Sequence, residues 1–214
     1  PMQGGLERKA LAGVCQVFGK QEADIRILDD WAGLSPFGSR QTRTLDPDSK
    51  PVIGRGRAPK PKNWPGKMSE IKGAYTGNEV YDVLLVDDFD DSSARVESLL
   101  REGAELVSLE EYDFADLTER LDFWVDMGEP HTRPSLEVLS AMSEGLVVVM
   151  RPGSEETYED GALYVKPDGL PTVVKRMLEL PELYELQQER AVQHLPRLWD
   201  SATFEAYISD LREN

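Results

Sequence analysis

Apolar residues in this chain fall into short blocks, each closed by polar or glycine-bearing stretches, and the blocks alternate between two periods. The runs YDVLLV (residues 81–86), FWVDM (123–127) and VVVM (147–150) are strand-length with almost no polar interruption, which predicts strands buried on both faces. Shorter apolar pieces at 51–54, 105–108 and 163–165 predict further strands. Between them the apolar positions recur at helical spacing, predicting helices over 68–74, 92–102, 112–121, 135–143, 171–180, 183–194 and 201–212. Within 92–102 the stripe is Val96, Leu99 and Leu100, with Gly103 as a stop, and Gly145 plays the same part after 135–143. Pro171 suits the first turn of its helix. Strands alternating with helices predict an α/β fold: a Rossmann-like, doubly wound parallel sheet with helices on both faces.

Residues 1–50 show little periodicity. Residues 10–18 fit a short helix or a strand, and the stretches 34–39 and 46–49 read as loop. Residues 1–50 are therefore expected to be a connector or a remnant of a preceding domain, and 51–214 the sheet domain with its terminal helices.

Composition narrows the field. With 214 residues and 40% apolar content the chain can bury a full core, and its longest apolar run, 146–150, is far too short to span a bilayer. The single cysteine, Cys15, rules out an internal disulfide framework and suits a cytoplasmic location; it has no neighbouring His or Asp to make it a nucleophile. Two histidines, His131 and His194, cannot form a His-rich metal site. The net charge of −16 argues against nucleic acid or anionic lipid as a partner. Against that background Arg55, Arg57, Lys60, Lys62 and Lys67 form a basic island, readable as a solvated loop or as an anion site.

Three stretches, VIGRGRAPKPKNWP (52–65), LDFWVDM (121–127) and the segment 135–167, occur in the order found in glycosyltransferases of GT-B architecture. The chain resembles the C-terminal, donor-binding half of the retaining group-1 members over roughly 51–211. In that family a strand ending in Gly-Arg opens a loop whose basic residue clamps the donor diphosphate, and a helix with a sequence like EAMACGLPVV follows later. Here SAMSEGLVVV (140–149) stands in that place, and EDGALYV (159–165) matches a following strand. The resemblance implies binding of a UDP- or GDP-type nucleotide sugar for glycosyl transfer, without a metal, and with an acceptor domain absent from these residues. Arg55 matches the family arginine, with Arg57 and Lys62 next as diphosphate contacts. The helix start at Ser135 and Leu136 would aim free amides at the same group. His131 stands at the mouth of the implied crevice, and Trp64 adjoins the basic loop; Trp31, Trp124 and Trp199 read as packing anchors.

The departures matter as much. Where the family has two glutamates separated by seven residues, this chain has Thr132 and Ser140, and Asn63 replaces a lysine. Glu137, one turn before Ser140, either substitutes for the missing acid or is a helix-start charge favoured by the dipole. These losses leave open a catalytically degenerate binding or scaffold module. Residues 81–108 also resemble the start of a two-component receiver, with Asp87-Asp88 as a magnesium pair, Asp126 as phosphoacceptor and Lys166-Pro167 as the later lysine. The interval from Asp126 to Lys166 is about ten residues too short for the two βα units required there.

Overall fold

The computed structural model describes residues 43–56, 67–87, 94–108, 114–132 and 134–198, all within one compact unit, Ala32–Asn214. Six strands appear in it: β1 (Val52–Gly56), β2 (Asp82–Asp87), β3 (Glu105–Ser108), β4 (Phe123–Asp126), β5 (Val147–Met150) and β6 (Leu163–Tyr164). They pair in parallel throughout, in the order β3-β2-β1-β4-β5-β6. The helices are α1 (Met68–Tyr75), α2 (Ala94–Arg101), α3 (Phe114–Thr118), α4 (Leu136–Ser143), α5 (Glu155–Tyr158), α6 (Leu170–Glu179) and α7 (Pro181–Leu198). Single 3-10 turns at Glu159–Gly161 and Pro167–Gly169 flank β6. The expected doubly wound α/β sheet is present. Its strand order is not the 2-1-3-4-5 order of receivers, which removes that alternative.

Strand periodicity divides the core. Phe123 and Val125 of β4 join Ile53, Val83, Val147 and Val149 beneath α1 and α6, which contribute Ile71, Ala74, Tyr75, Val174 and Met177. Trp124, between those two β4 residues, joins Leu84, Val148 and Met150 on the opposite face, under Val138, Leu139 and Met142 of α4 and Leu117 of α3. Every residue of β4 and β5 is buried, as expected of strands covered on both faces. Trp124 is thus a packing anchor; Trp31, Trp64, Trp199, Cys15 and the helix expected over 201–212 lie outside the described residues.

Helix ends follow the glycine pattern. Gly103 and Gly145 adopt φ of 91° and 77°, conformations that cost glycine little, and each lets the chain turn from helix into strand. Gly54 serves a different need. A Cβ there would come within 2.3 Å of the Leu121 side chain, so glycine lets Leu121 press onto β1 just before β4 begins. Two elements differ from expectation. α3 ends before 121 because the chain turns at Glu119 and Arg120, and a short helix, α5, forms between β5 and β6, where none is among the predicted helices.

Residues 43–50, expected to be connector, pack against the sheet domain. Leu45 is buried. Arg43 donates from Nε to the Glu144 carbonyl and from Nη1 to the Thr118 and Leu121 carbonyls, each at 2.7 Å. It thereby puts a positive charge where the C-termini of α3 and α4 concentrate partial negative charge. Losing three charge-assisted bonds at once should cost about 2–3 kcal/mol. Arg43→Ala should lower the urea midpoint accordingly, and Arg43→Lys should restore only part of it because lysine cannot fork across separate carbonyls.

Candidate functional site

In a doubly wound sheet, a ligand crevice opens over the C-terminal ends of the strands where the order reverses, here between β1 and β4. Arg55, next to last in β1, and Asp126, last in β4, meet there. Arg55 Nη1 lies 2.8 Å from Asp126 Oδ2, with side chains only 1% and 7% exposed. Burial alone would push the Asp126 carboxyl up; the Arg55 charge, a hydrogen bond and charge from His131 and the Gly128 N–H outweigh it and hold the carboxyl well below its usual range. Burial likewise works against the Arg55 charge, and Asp126 above all, then Tyr75 and Glu137, more than offset it. The Tyr75 hydroxyl accepts the Met127 N–H at 2.9 Å and donates to the Val125 carbonyl at 3.3 Å, fixing α1 to the end of β4.

The pair continues outward as a chain of polar contacts. His131 Nε2 lies 3.2 Å from Asp126 Oδ2, and His131 Nδ1 lies 3.0 Å from the Tyr158 hydroxyl. That hydroxyl accepts the Ser135 N–H at 2.7 Å. A proton on Nε2 is donated to Asp126, and Nδ1 and the Tyr158 hydroxyl share one hydrogen bond whose direction follows the protonation of the ring. The His131 backbone is gripped as well. Its N–H donates to Ser154 Oγ at 2.8 Å and its carbonyl accepts from Thr157 Oγ1 at 2.7 Å. The β4–α4 loop is therefore tied at one end to the buried ion pair and along its length to α5.

The residues expected to form the site are distributed as follows. Arg55 is in place at the switch point, but its guanidinium faces Asp126 inside the protein, not an open crevice. Arg57, Lys62 and Trp64 lie outside the described residues. His131 stands over the strand ends, partly exposed, as one link of the network. Thr132 is exposed in the loop. Ser135 precedes α4 with its N–H already taken by Tyr158, so the amides still available at the helix start belong to Leu136 and the residues after it. Glu137 is half-buried in the first turn of α4, near enough for its charge to act on Arg55. Ser140 is half-buried within α4, its carbonyl accepting from Ser143 Oγ and the Glu144 N–H.

Sequence reasoning missed Tyr158 and Ser154 and considered Asp126 only as a phosphoacceptor. A usable signal was present: Tyr158 is an aromatic residue in an otherwise polar stretch, and its complete burial shows why it is there. Away from the switch point, Glu159, Asp160 and His194 bring potential metal-ligand atoms within 4.8 Å of one another. His194 contacts both carboxylates through its two ring nitrogens and Arg190 approaches Asp160 at 3.8 Å, so the cluster acts as an ion-pair knot fastening α7 to the Glu159–Gly161 turn. No helix among the described residues is long and apolar enough to cross a membrane.

No protein-family model matches the chain, and no curated protein matches it in sequence. Solved structures do match in fold. Anabaena HepE in complex with UDP-glucose aligns over 78% of this chain at TM-score 0.58 and 13% identity. Staphylococcus aureus TarM, in complex with UDP and other ligands, aligns over 82% at TM-score 0.60 and 10% identity, covering 37% of that protein. The lipopolysaccharide outer core galactosyltransferase WaaB, in its apo form, aligns over 92% at TM-score 0.53 and 14% identity. At these identities the likeness shows the fold alone, a doubly wound α/β domain like those in HepE, TarM and WaaB, which is the architecture the sequence resemblance implied. The chain spans about half the length of HepE, 50% of the UDP-glucose complex.

The buried pair makes a prediction about acid stability. Because Asp126 ionises more readily folded than unfolded, its contribution is complete above about pH 4 and is lost as pH falls toward the depressed folded value. Asp126→Ala, which strands Arg55 without a countercharge, should cost about 3–5 kcal/mol. The double variant R55M/D126L should cost less and should flatten the fall of the urea midpoint between about pH 4 and 2. An acid limb as steep as in the parent protein would show that the pair does not carry this dependence.

Proposed function

We propose that this chain is a glycosyltransferase-like domain that binds the nucleotide diphosphate of a sugar donor over the C-terminal ends of its parallel strands, for glycosyl transfer completed by a second, acceptor-binding domain. One observation carries the reading: the strand order reverses between β1 and β4, and α4 follows β4 with Glu137 of its first turn near enough for its charge to act on Arg55 at that reversal. The solved neighbours that share the fold include proteins bound to UDP or UDP-glucose, which supports a UDP-type donor. Transfer by such a domain rests on positioning and on charge placed opposite the leaving diphosphate, and closure by a partner domain would exclude water. No metal is needed if cationic side chains and helix amides supply that charge. A cytoplasmic setting suits a chain with one cysteine.

In this reading Arg55 is a positioning residue. Its charge is spent on Asp126, and through Asp126 it holds His131, Tyr158 and the start of α4 in register. The diphosphate contacts then fall to Arg57 and Lys62 in the loop after β1 and to the amides from Leu136 onward. His131, Thr132, Glu137 and Ser140 border the nucleotide and sugar. A second reading, a nucleotide-binding or scaffold module without transferase activity, is favoured by one specific feature: Thr132 and Ser140 stand where the family has its donor acids.

Calorimetric titration tests the proposal. UDP should bind, and Arg57→Ala together with Lys62→Ala should weaken it tenfold or more. Absence of binding by UDP and GDP alike would leave the scaffold reading. Binding with no hydrolysis or transfer of UDP-glucose, even with the acceptor-binding domain supplied, would favour the degenerate one.

A further inference from the structure

Beside the switch point, on the α1 side of the sheet, is a cleft of about 560 Å³ that the nucleotide-sugar reading leaves unused. It lies within the roughly 300–1,000 Å³ typical of small-ligand sites. Three remote segments wall it: Ser69, Glu70 and Gly73 of α1, Arg151 just past β5, and Lys166 and Asp168 past β6. Because the strands are parallel, the exits of β5 and β6 lie on the same edge of the sheet as the Arg55–Asp126 pair. The Lys166-Pro167 sequence, which suggested a receiver, is part of this wall.

The charges in the cleft alternate in a way that suits one ligand class. Glu70 is shared between Arg151, at 3.4 Å, and Lys67, at 4.0 Å, so its negative charge is already answered. Lys166 makes no ion pair among the described residues and is exposed at the rim. Two cations line one opening, Arg151 in its pairing with Glu70 and Lys166 at the rim, in a chain whose net charge is −16. An arginine can take a phosphate through two parallel hydrogen bonds, and a lysine adds a movable point charge. Asp168 and Ser69 lie close by and can pair with hydroxyl groups. Gly73 keeps the interior open: a Cβ there would sit 4.0 Å from the Pro167 backbone across the cleft.

We propose that this cleft binds the phosphate ester of a sugar, with Arg151 and Lys166 on the phosphate and Asp168 and Ser69 on sugar hydroxyls. A bare inorganic anion would gain nothing from the Asp168 carboxylate, and an apolar ligand nothing from any of the four. The phosphate ester has two possible sources, the sugar-diphosphate end of a nucleotide sugar seated at the switch point or a separate sugar phosphate. The first source rests on the nucleotide-sugar reading; the second does not, since the cleft is built from different residues.

The test uses glucose 1-phosphate and UDP-glucose, each titrated by calorimetry or ³¹P NMR into the parent chain and two variants. R151A/K166A removes the cations; Gly73→Leu fills the cleft while leaving every charge in place and favouring the helix. Circular dichroism confirms that both variants fold. Glucose 1-phosphate should bind the parent chain and lose at least tenfold in affinity in each variant. If UDP-glucose suffers the same loss and competes, the cleft takes the donor's own phosphates; if it binds undisturbed alongside, the cleft takes a separate sugar phosphate. Failure of UDP to bind while glucose 1-phosphate still does would overturn the proposed function and leave the cleft standing. No glucose 1-phosphate binding, or binding indifferent to both variants, would overturn the cleft proposal.

Discussion

Everything at the ligand edge of this domain hangs on a buried ion pair. Arg55 and Asp126 come from the two strands between which the order of the sheet reverses, and each would be costly to bury alone. Together they provide a fixed carboxylate for His131 at the strand ends. From there the contacts run to Tyr158, to the Ser135 amide and so to the first turn of α4. Tyr75 adds a brace from α1 to the same strand end. The pair thus converts a sheet-level feature, the reversal of strand order, into a definite placement of one loop and one helix start. Buried pairs of this kind are poor sources of net stability, and their value here lies in specifying geometry.

This arrangement separates two roles that family resemblance would merge. A cation at the end of β1 can face outward to a diphosphate or inward to a partner strand, and in this chain it faces inward. An outward role for Arg55 would leave Asp126 buried without its countercharge, at a cost of several kcal/mol. In the proposed function, anion binding at this edge falls to other groups than Arg55.

Most of the fold was legible in the sequence because local signals agreed. Apolar runs such as 147–150 marked strands covered on both faces, and Gly103 and Gly145 marked helix ends that the backbone realises with positive φ. The ion pair was not legible. Arg55 and Asp126 are remote in sequence, and only the parallel register of β1 on β4 brings their ends together. Arg55 was read as a diphosphate contact at the end of its strand, because it matches the family arginine and its neighbours, Arg57 to Lys67, are basic; its burial is a tertiary fact. Tyr158 escaped for a similar reason, since α5 is a single polar turn with no amphipathic stripe, and its tyrosine acts on residues far back in the chain. The cleft could not be foreseen either, because its lining comes from α1 and the exits of β5 and β6, segments remote in sequence that share no motif.

The most direct test is a crystal structure of the domain with UDP-glucose bound. The account predicts that the Arg55 guanidinium stays within ion-pair distance of Asp126 and that His131 still bridges Asp126 and Tyr158, with the phosphates held by other groups. A structure in which Arg55 has swung out of the core to grip the diphosphate, leaving Asp126 unpaired, would contradict it.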